Sequence, residues 1–129
     1  MSTILEILSD ANKNIKTIVA HKNNAYLRKF MEAAFVPEKK VLLPEGRPPF
    51  EPLKDSAHQN PGALWQIAKK LDVLYRTDVK PIIREVAFIR ALESVSEVEA
   101  DLLLMMKDQT VDLIYSELTH EKLKDVGYF

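Results

Sequence analysis

Histidine, serine, lysine and carboxylate side chains are the groups in this chain that can do chemistry, because its 129 residues include no cysteine. The three histidines, His21, His58 and His120, are far apart, and none belongs to an HExxH pair that sets two zinc ligands on one helix face. The six serines occur at cap, loop or helix positions, without the GxSxG elbow that exposes a nucleophile. A nucleotidyltransferase lysine sits in a Lys-x-Asp-Gly string, and no such string occurs. Only three glycines are present, which argues against glycine-rich phosphate loops. Glu93, Glu97, Glu99 and Asp101 are close in sequence, and paired carboxylates can move protons or hold Mg²⁺. Ser96 and Glu99, however, have capping-box spacing, so these carboxylates surround a helix N-terminus where the dipole stabilises negative charge. The chain therefore reads as non-catalytic, with no cofactor and no metal.

Charge divides the chain. Residues 1–92 carry 15 basic and 10 acidic side chains, net +5, and residues 93–129 carry 3 and 9, net −6, for the overall −1. A nucleic-acid coat over the whole surface is excluded by that balance, but a local basic face is not. Lys13, Lys16, Lys22, Arg28, Lys29, Lys39, Lys40, Lys69 and Lys70, with Asn23 as a neutral donor, are the candidate contacts to DNA phosphates. The alternative is that they are ordinary solvated helix faces. In the acidic third, Glu97, Glu99 and Asp101 are candidates for binding a protein partner by occupying its nucleic-acid groove. The terminal Tyr128-Phe129 pair, after an aliphatic residue, is similar to short peptides that dock into clamp proteins. Its alternative is to fold back on the core.

Helices must position all of these residues. Thr3 and Glu6 open a first helix over about 4–12, with Ile4, Leu5, Ile7, Leu8 and Ala11 as its apolar stripe. A short second helix over 15–21 turns Ile15, Ile18 and Val19 inward. A third runs from Ala25 to Phe35, burying Tyr26, Leu27, Phe30, Met31, Ala34 and Phe35, until Pro37 ends it. Six of the seven prolines fall in residues 36–61, which excludes a regular helix or central strand there. That stretch is read as a long ordered loop, about 36–60, pinned by Val41, Leu42, Leu43 and Phe50. Asn60-Pro61 starts a fourth helix reaching about Tyr75, with Leu64, Trp65, Ile67, Ala68, Leu71, Leu74 and Tyr75 inward. Asp78 caps a fifth helix, with Pro81 in its first turn and Ile82, Ile83, Val86, Ala87, Ile89, Arg90 and Leu92 mostly buried. Ser96 opens a sixth, ending near Lys107, with Val98, Leu102, Leu103, Met105 and Met106 as core candidates. Asp112–Leu118 forms a seventh, and Thr119 caps a last turn or two carrying Leu123 and Val126. The expectation is an all-α fold: a single domain over 1–129, of seven or eight short helices and one long proline-rich loop.

Several strings resemble the N-terminal helical DNA-binding domain of ATP-dependent DNA ligases of the bacteriophage type. They are Ile4-Leu5-Glu6-Ile7-Leu8, then His21-Lys22-Asn23-Asn24-Ala25-Tyr26-Leu27 leading to Ala33-Ala34-Phe35. Next come Glu97 to Asp108, similar to the family's acidic helix, and a short terminal helix with Gly127. The Leu42–Pro49 string Leu-Leu-Pro-Glu-Gly-x-Pro-Pro is also similar to that of small proteins of large tailed phages. The resemblance implies a stand-alone relative without the catalytic domain, a phage accessory protein. Its expected partners are duplex DNA or a replication, transcription or other phage or host protein. The alternative is a protein-interaction module, a modulator of an enzyme or a virion component, that binds no DNA. Residues 1–10 lack a basic n-region, and no window approaches the roughly 18 apolar residues of a membrane span. The expected location is the cytoplasm of the infected host, with no membrane partner.

Overall fold

The computed structural model describes residues 3–51 and 62–129. It is all-α, and no strand occurs among the described residues. Among the described residues six α-helices, α1 (Ile4–Lys13), α2 (Ala25–Phe35), α3 (Ala63–Lys69), α4 (Pro81–Glu93), α5 (Glu97–Asp108) and α6 (His120–Asp125), occur together with short 3₁₀ helices. The latter lie at Ile15–His21, Pro37–Lys39, Leu71–Leu74 and Val111–Leu113. Side-chain caps set half of the starts among the described residues. Thr3, Asn14, Asn24, Ser96 and Thr119 each accept a backbone N–H of the following turn. At α5 the expected reciprocal box is complete, with the Glu99 carboxylate returning to the Ser96 N–H.

Helix α2 is the centre of the packing. It lies against α3 and α5, while α4 packs on α5 and α1 on the 3₁₀ helix that follows it. Ile4, Leu8, Ile18, Leu27, Phe30, Met31, Leu64, Leu71, Phe88, Leu92, Leu102 and Tyr128 are all essentially inaccessible and belong to one core. Removing such area from water is the main driving force, at roughly 25 cal/mol per Å².

The proline-rich segment becomes a strap from 40 to 51 that lies across α4 and α5. Val41 is buried, Leu43 and Phe50 are half-buried, and Leu42 is exposed. Backbone bonding to the body is sparse, chiefly Leu42 N–H to the Leu74 carbonyl at 2.9 Å. The strap's carbonyls are instead met by two buried cations. Arg84 donates to the carbonyls of Leu42, Arg76 and Val79. Lys107, 1% exposed, donates to the Pro44 carbonyl at 2.8 Å and to the Asp108 carboxylate. Asp108 in turn accepts the Gly46 N–H at 3.1 Å. Gln109, left-handed at φ 56°, ends α5 and donates its amide to the Ala33 and Val36 carbonyls at the end of α2. The Ala33 carbonyl, one of those that α2 cannot satisfy internally, is thus satisfied from the end of α5.

Several sequence expectations are corrected. α4 was expected to bury Ile82, Ile83 and Val86, yet these are 60%, 51% and 40% exposed. Its inward face is Arg84, Phe88 and Leu92, spaced four apart, because Arg84 is drawn in to bond the three carbonyls. Asp78 does not cap α4: Arg76 holds it in a two-point ion pair, and Pro81 opens the helix after Lys80 without a side-chain cap. That pairing keeps the Asp78 carboxyl below the usual carboxylate range. The fourth helix stops at Lys69 and continues only as a 3₁₀ turn, with Trp65, Ile67 and Tyr75 half-buried. Val19, Tyr26 and Val98 are exposed rather than core residues, and the helix expected over 112–118 shrinks to Val111–Leu113. The expected Asn60-Pro61 start and the loop residues 52–60 lie outside the described residues.

Breaking a buried ion pair from one side leaves an uncompensated charge and costs several kcal/mol. Lys107→Met is therefore expected to lose about 3 kcal/mol in urea unfolding, with part recovered in K107M/D108N. Lys124→Met, at an exposed position of α6, should change stability by less than about 0.5 kcal/mol.

Candidate nucleic-acid interface

The ten candidate phosphate contacts fall into two groups. Four side chains are already used inside the fold. Arg28 donates to the Tyr128 carbonyl at 2.8 Å, pairs with Glu32 at 3.6 Å, and lies 5.5 Å from the ring centres of both Tyr128 and Phe129. Lys29 bonds the Lys69 carbonyl at 3.0 Å and Asp72 at 3.4 Å. Lys39 sits 5.1 Å over the Tyr75 ring, whose hydroxyl is held above its ordinary pKa by burial, with Asp72 and Glu32 adding to the shift. Lys40 pairs with Glu45 at 3.1 Å.

The other six, Lys13, Lys16, Lys22, Asn23, Lys69 and Lys70, are exposed. Lys13, Lys16, Lys22 and Asn23 share one corner, where α1 ends, the 3₁₀ helix Ile15–His21 runs, and the chain turns into α2. A 3₁₀ helix has three residues per turn, so side chains at i and i+3 eclipse. Lys16, Val19 and Lys22 stand in one row by that geometry, all exposed, and the exposed Lys13 precedes them at the end of α1, across the extended Asn14. Ile18 alone is buried from this helix and fixes which side faces out. Asn14 and Asn24 are committed to capping, accepting the Lys16 N–H and the Tyr26 and Leu27 N–H groups, which leaves Asn23 at the turn. Lys69 ends α3 and Lys70 follows it, bordering a groove against α4.

The acidic candidates divide in the same way. Glu97 and Asp101 are exposed, with Val98 between them 64% exposed, and Asp101 meets Arg47 at 3.2 Å. Glu99 is buried and occupied by the capping box, so it faces no partner. The C-terminal pair folds back on the core. Gly127 at φ 89° lets the Tyr128 N–H reach the Leu123 carbonyl at 2.9 Å. Tyr128 is then fully buried, and Phe129 is half-buried against His120 at 5.4 Å between ring centres. Neither is presented as a clamp-binding peptide.

Sequence reasoning missed Arg84, Phe88 and Lys107. For Lys107 the pattern held a clue, since it continues the row Ala100, Leu103 on the buried side of α5. Among the described residues no group of three or more His, Asp or Glu could hold a metal ion, and no helix is long and apolar enough to cross a membrane.

The Tyr128 hydroxyl is buried and has no hydrogen-bond partner among the described residues, and burial pushes its pKa up to about 12. A desolvated, unpaired hydroxyl is unfavourable, so Tyr128→Phe is expected to be neutral or to gain about 1 kcal/mol in urea unfolding. The folded state holds this proton while the unfolded tyrosine, with a pKa near 10, releases it. Wild-type stability should therefore fall as pH rises from about 10 to about 12, and Y128F should lack that part of the slope.

No family model, no curated protein and no solved structure matches this chain.

Proposed function

We propose that the protein is a non-catalytic accessory module that binds duplex DNA through the corner formed by the end of α1, the following 3₁₀ helix and the start of α2. The observation that carries this reading is the exposed pair Lys16 and Lys22 in one row of the 3₁₀ helix, with Lys13 just before it at the end of α1 and Asn23 just after it, both exposed. Side chains in such a row meet successive phosphates, which position a protein on DNA without reading its sequence. The resemblance to the DNA-binding domain of phage-type ligases supports the same reading and adds a phage origin and a DNA-processing context. Arg28, Lys29, Lys39 and Lys40 do not belong to this interface, because carbonyls, carboxylates and a ring already hold them.

A second reading is favoured by the outward Val98 between Glu97 and Asp101, an apolar centre with an acidic surround that suits a basic protein surface. In that reading Glu97→Lys/Asp101→Lys releases a partner that K13Q/K16Q/K22Q retains.

Fluorescence anisotropy of nicked and intact labelled duplexes tests the first reading. Phosphate contacts release counterions, so affinity should fall steeply with salt. K13Q/K16Q/K22Q should lower the slope of log K against log salt by about 2 to 3, since each phosphate contact contributes about 0.9. Absence of binding at low salt overturns the DNA reading.

A further inference from the structure

A groove of about 480 Å³ lies between α3, the 3₁₀ helix Leu71–Leu74 and α4. Ile67, Val73, Leu74, Ala87 and Ala91 make its walls, and Lys70 and Arg90 are its charged groups; no carboxylate lines it among the described residues. Along α4 the positions 83, 87, 90, 91 and 94 share one helical face, so the exposed Ile83 extends the apolar wall beyond the groove. This is an apolar slot with a cationic rim on a face that nothing else in the described chain covers.

Complementary chemistry occurs elsewhere on the same protein. The turn Val111–Leu113 buries Val111 and leaves Leu113 and the following Ile114 in solvent, 77% and 62% exposed. Adjacent aliphatics standing this far out are the most exposed apolar pair among the described residues. Asp112 beside them is also exposed, and they lie in the third of the chain whose net charge is −6. An aliphatic knob with an acidic flank therefore matches an aliphatic slot with a basic rim.

From this match we infer that the groove receives the Asp112–Ile114 knob of a second copy of the chain. The contact is heterologous: each copy offers one knob and one groove, so association proceeds head to tail into a ring or a short filament. Burial of Leu113 and Ile114 supplies the apolar driving force, and Asp112 facing Lys70 and Arg90 sets the orientation. The inference does not depend on DNA binding, and its test contains no nucleic acid.

Sedimentation velocity decides it. Wild-type protein should grow beyond the monomer between about 10 μM and about 1 mM. K70E/R90E and Leu113→Ser/Ile114→Ser, all at exposed positions, should each keep the wild-type circular dichroism spectrum and weaken association at least tenfold. An equimolar mixture of these two variants should form a dimer and nothing larger, because one intact groove then meets one intact knob. Wild-type protein that stays monomeric across this range overturns the proposal. So does association that survives both variants, or a mixture that remains monomeric while wild type associates.

Discussion

A single buried ammonium holds the least regular part of this protein to the most regular part. Lys107 ends the apolar run of α5 inside the core, where a charge is tolerated only if it is paired and hydrogen-bonded. Its two acceptors are the Pro44 carbonyl of the strap and the carboxylate of its neighbour Asp108, which also takes the Gly46 N–H. A proline-rich segment has few N–H donors with which to pair. Its carbonyls must find donors elsewhere, and Lys107 and Arg84 are those donors. Gln109, two residues after Lys107, closes the end of α2 from the same place, so the C-terminal turn of α5 joins strap, α2 and core.

This way of holding the strap decides what is left outside. Drawing Arg84 inward to three carbonyls sets the rotation of α4, and that rotation places Phe88 and Leu92 in the core and Ile82, Ile83 and Val86 in solvent. The groove against α3 is the other side of the same arrangement. At the opposite end of the chain, Arg28 is held by the Tyr128 carbonyl and lies near both terminal rings, which withdraws it from the basic surface and keeps the tail folded. Among the lysines that stay available, Lys16 and Lys22 share one outward row because the 3₁₀ helix repeats every three residues.

The helical class and most starts were legible because their causes are local. Asn24 capping α2, Ser96 with Glu99 on α5, and Thr119 on α6 each act within one turn, and the span Ala25–Phe35 is the one the apolar spacing indicates. The candidate basic residues were legible only as residue types. Which of them face solvent depends on partners far along the chain, such as Tyr128 for Arg28 and Asp72 for Lys29. The inward side of α4 was misread because hydrophobicity ranked Ile82 and Ile83 above Arg84, and the gain from bonding three carbonyls is invisible to a hydropathy pattern.

The sequence by itself settled the all-α class, the caps at Thr3, Ser96 and Thr119 and the break at the proline-rich stretch, since each follows from propensity and hydrogen bonding within a few residues. Tertiary structure alone decided which cations are buried, which way α4 faces, and that Tyr128 is core rather than a free tail. Those outcomes turn on carbonyls and carboxylates brought together from up to 100 residues apart, as in the bond from Arg28 to Tyr128. No local pattern encodes such a meeting, because it is the packing of the whole chain that supplies the partner.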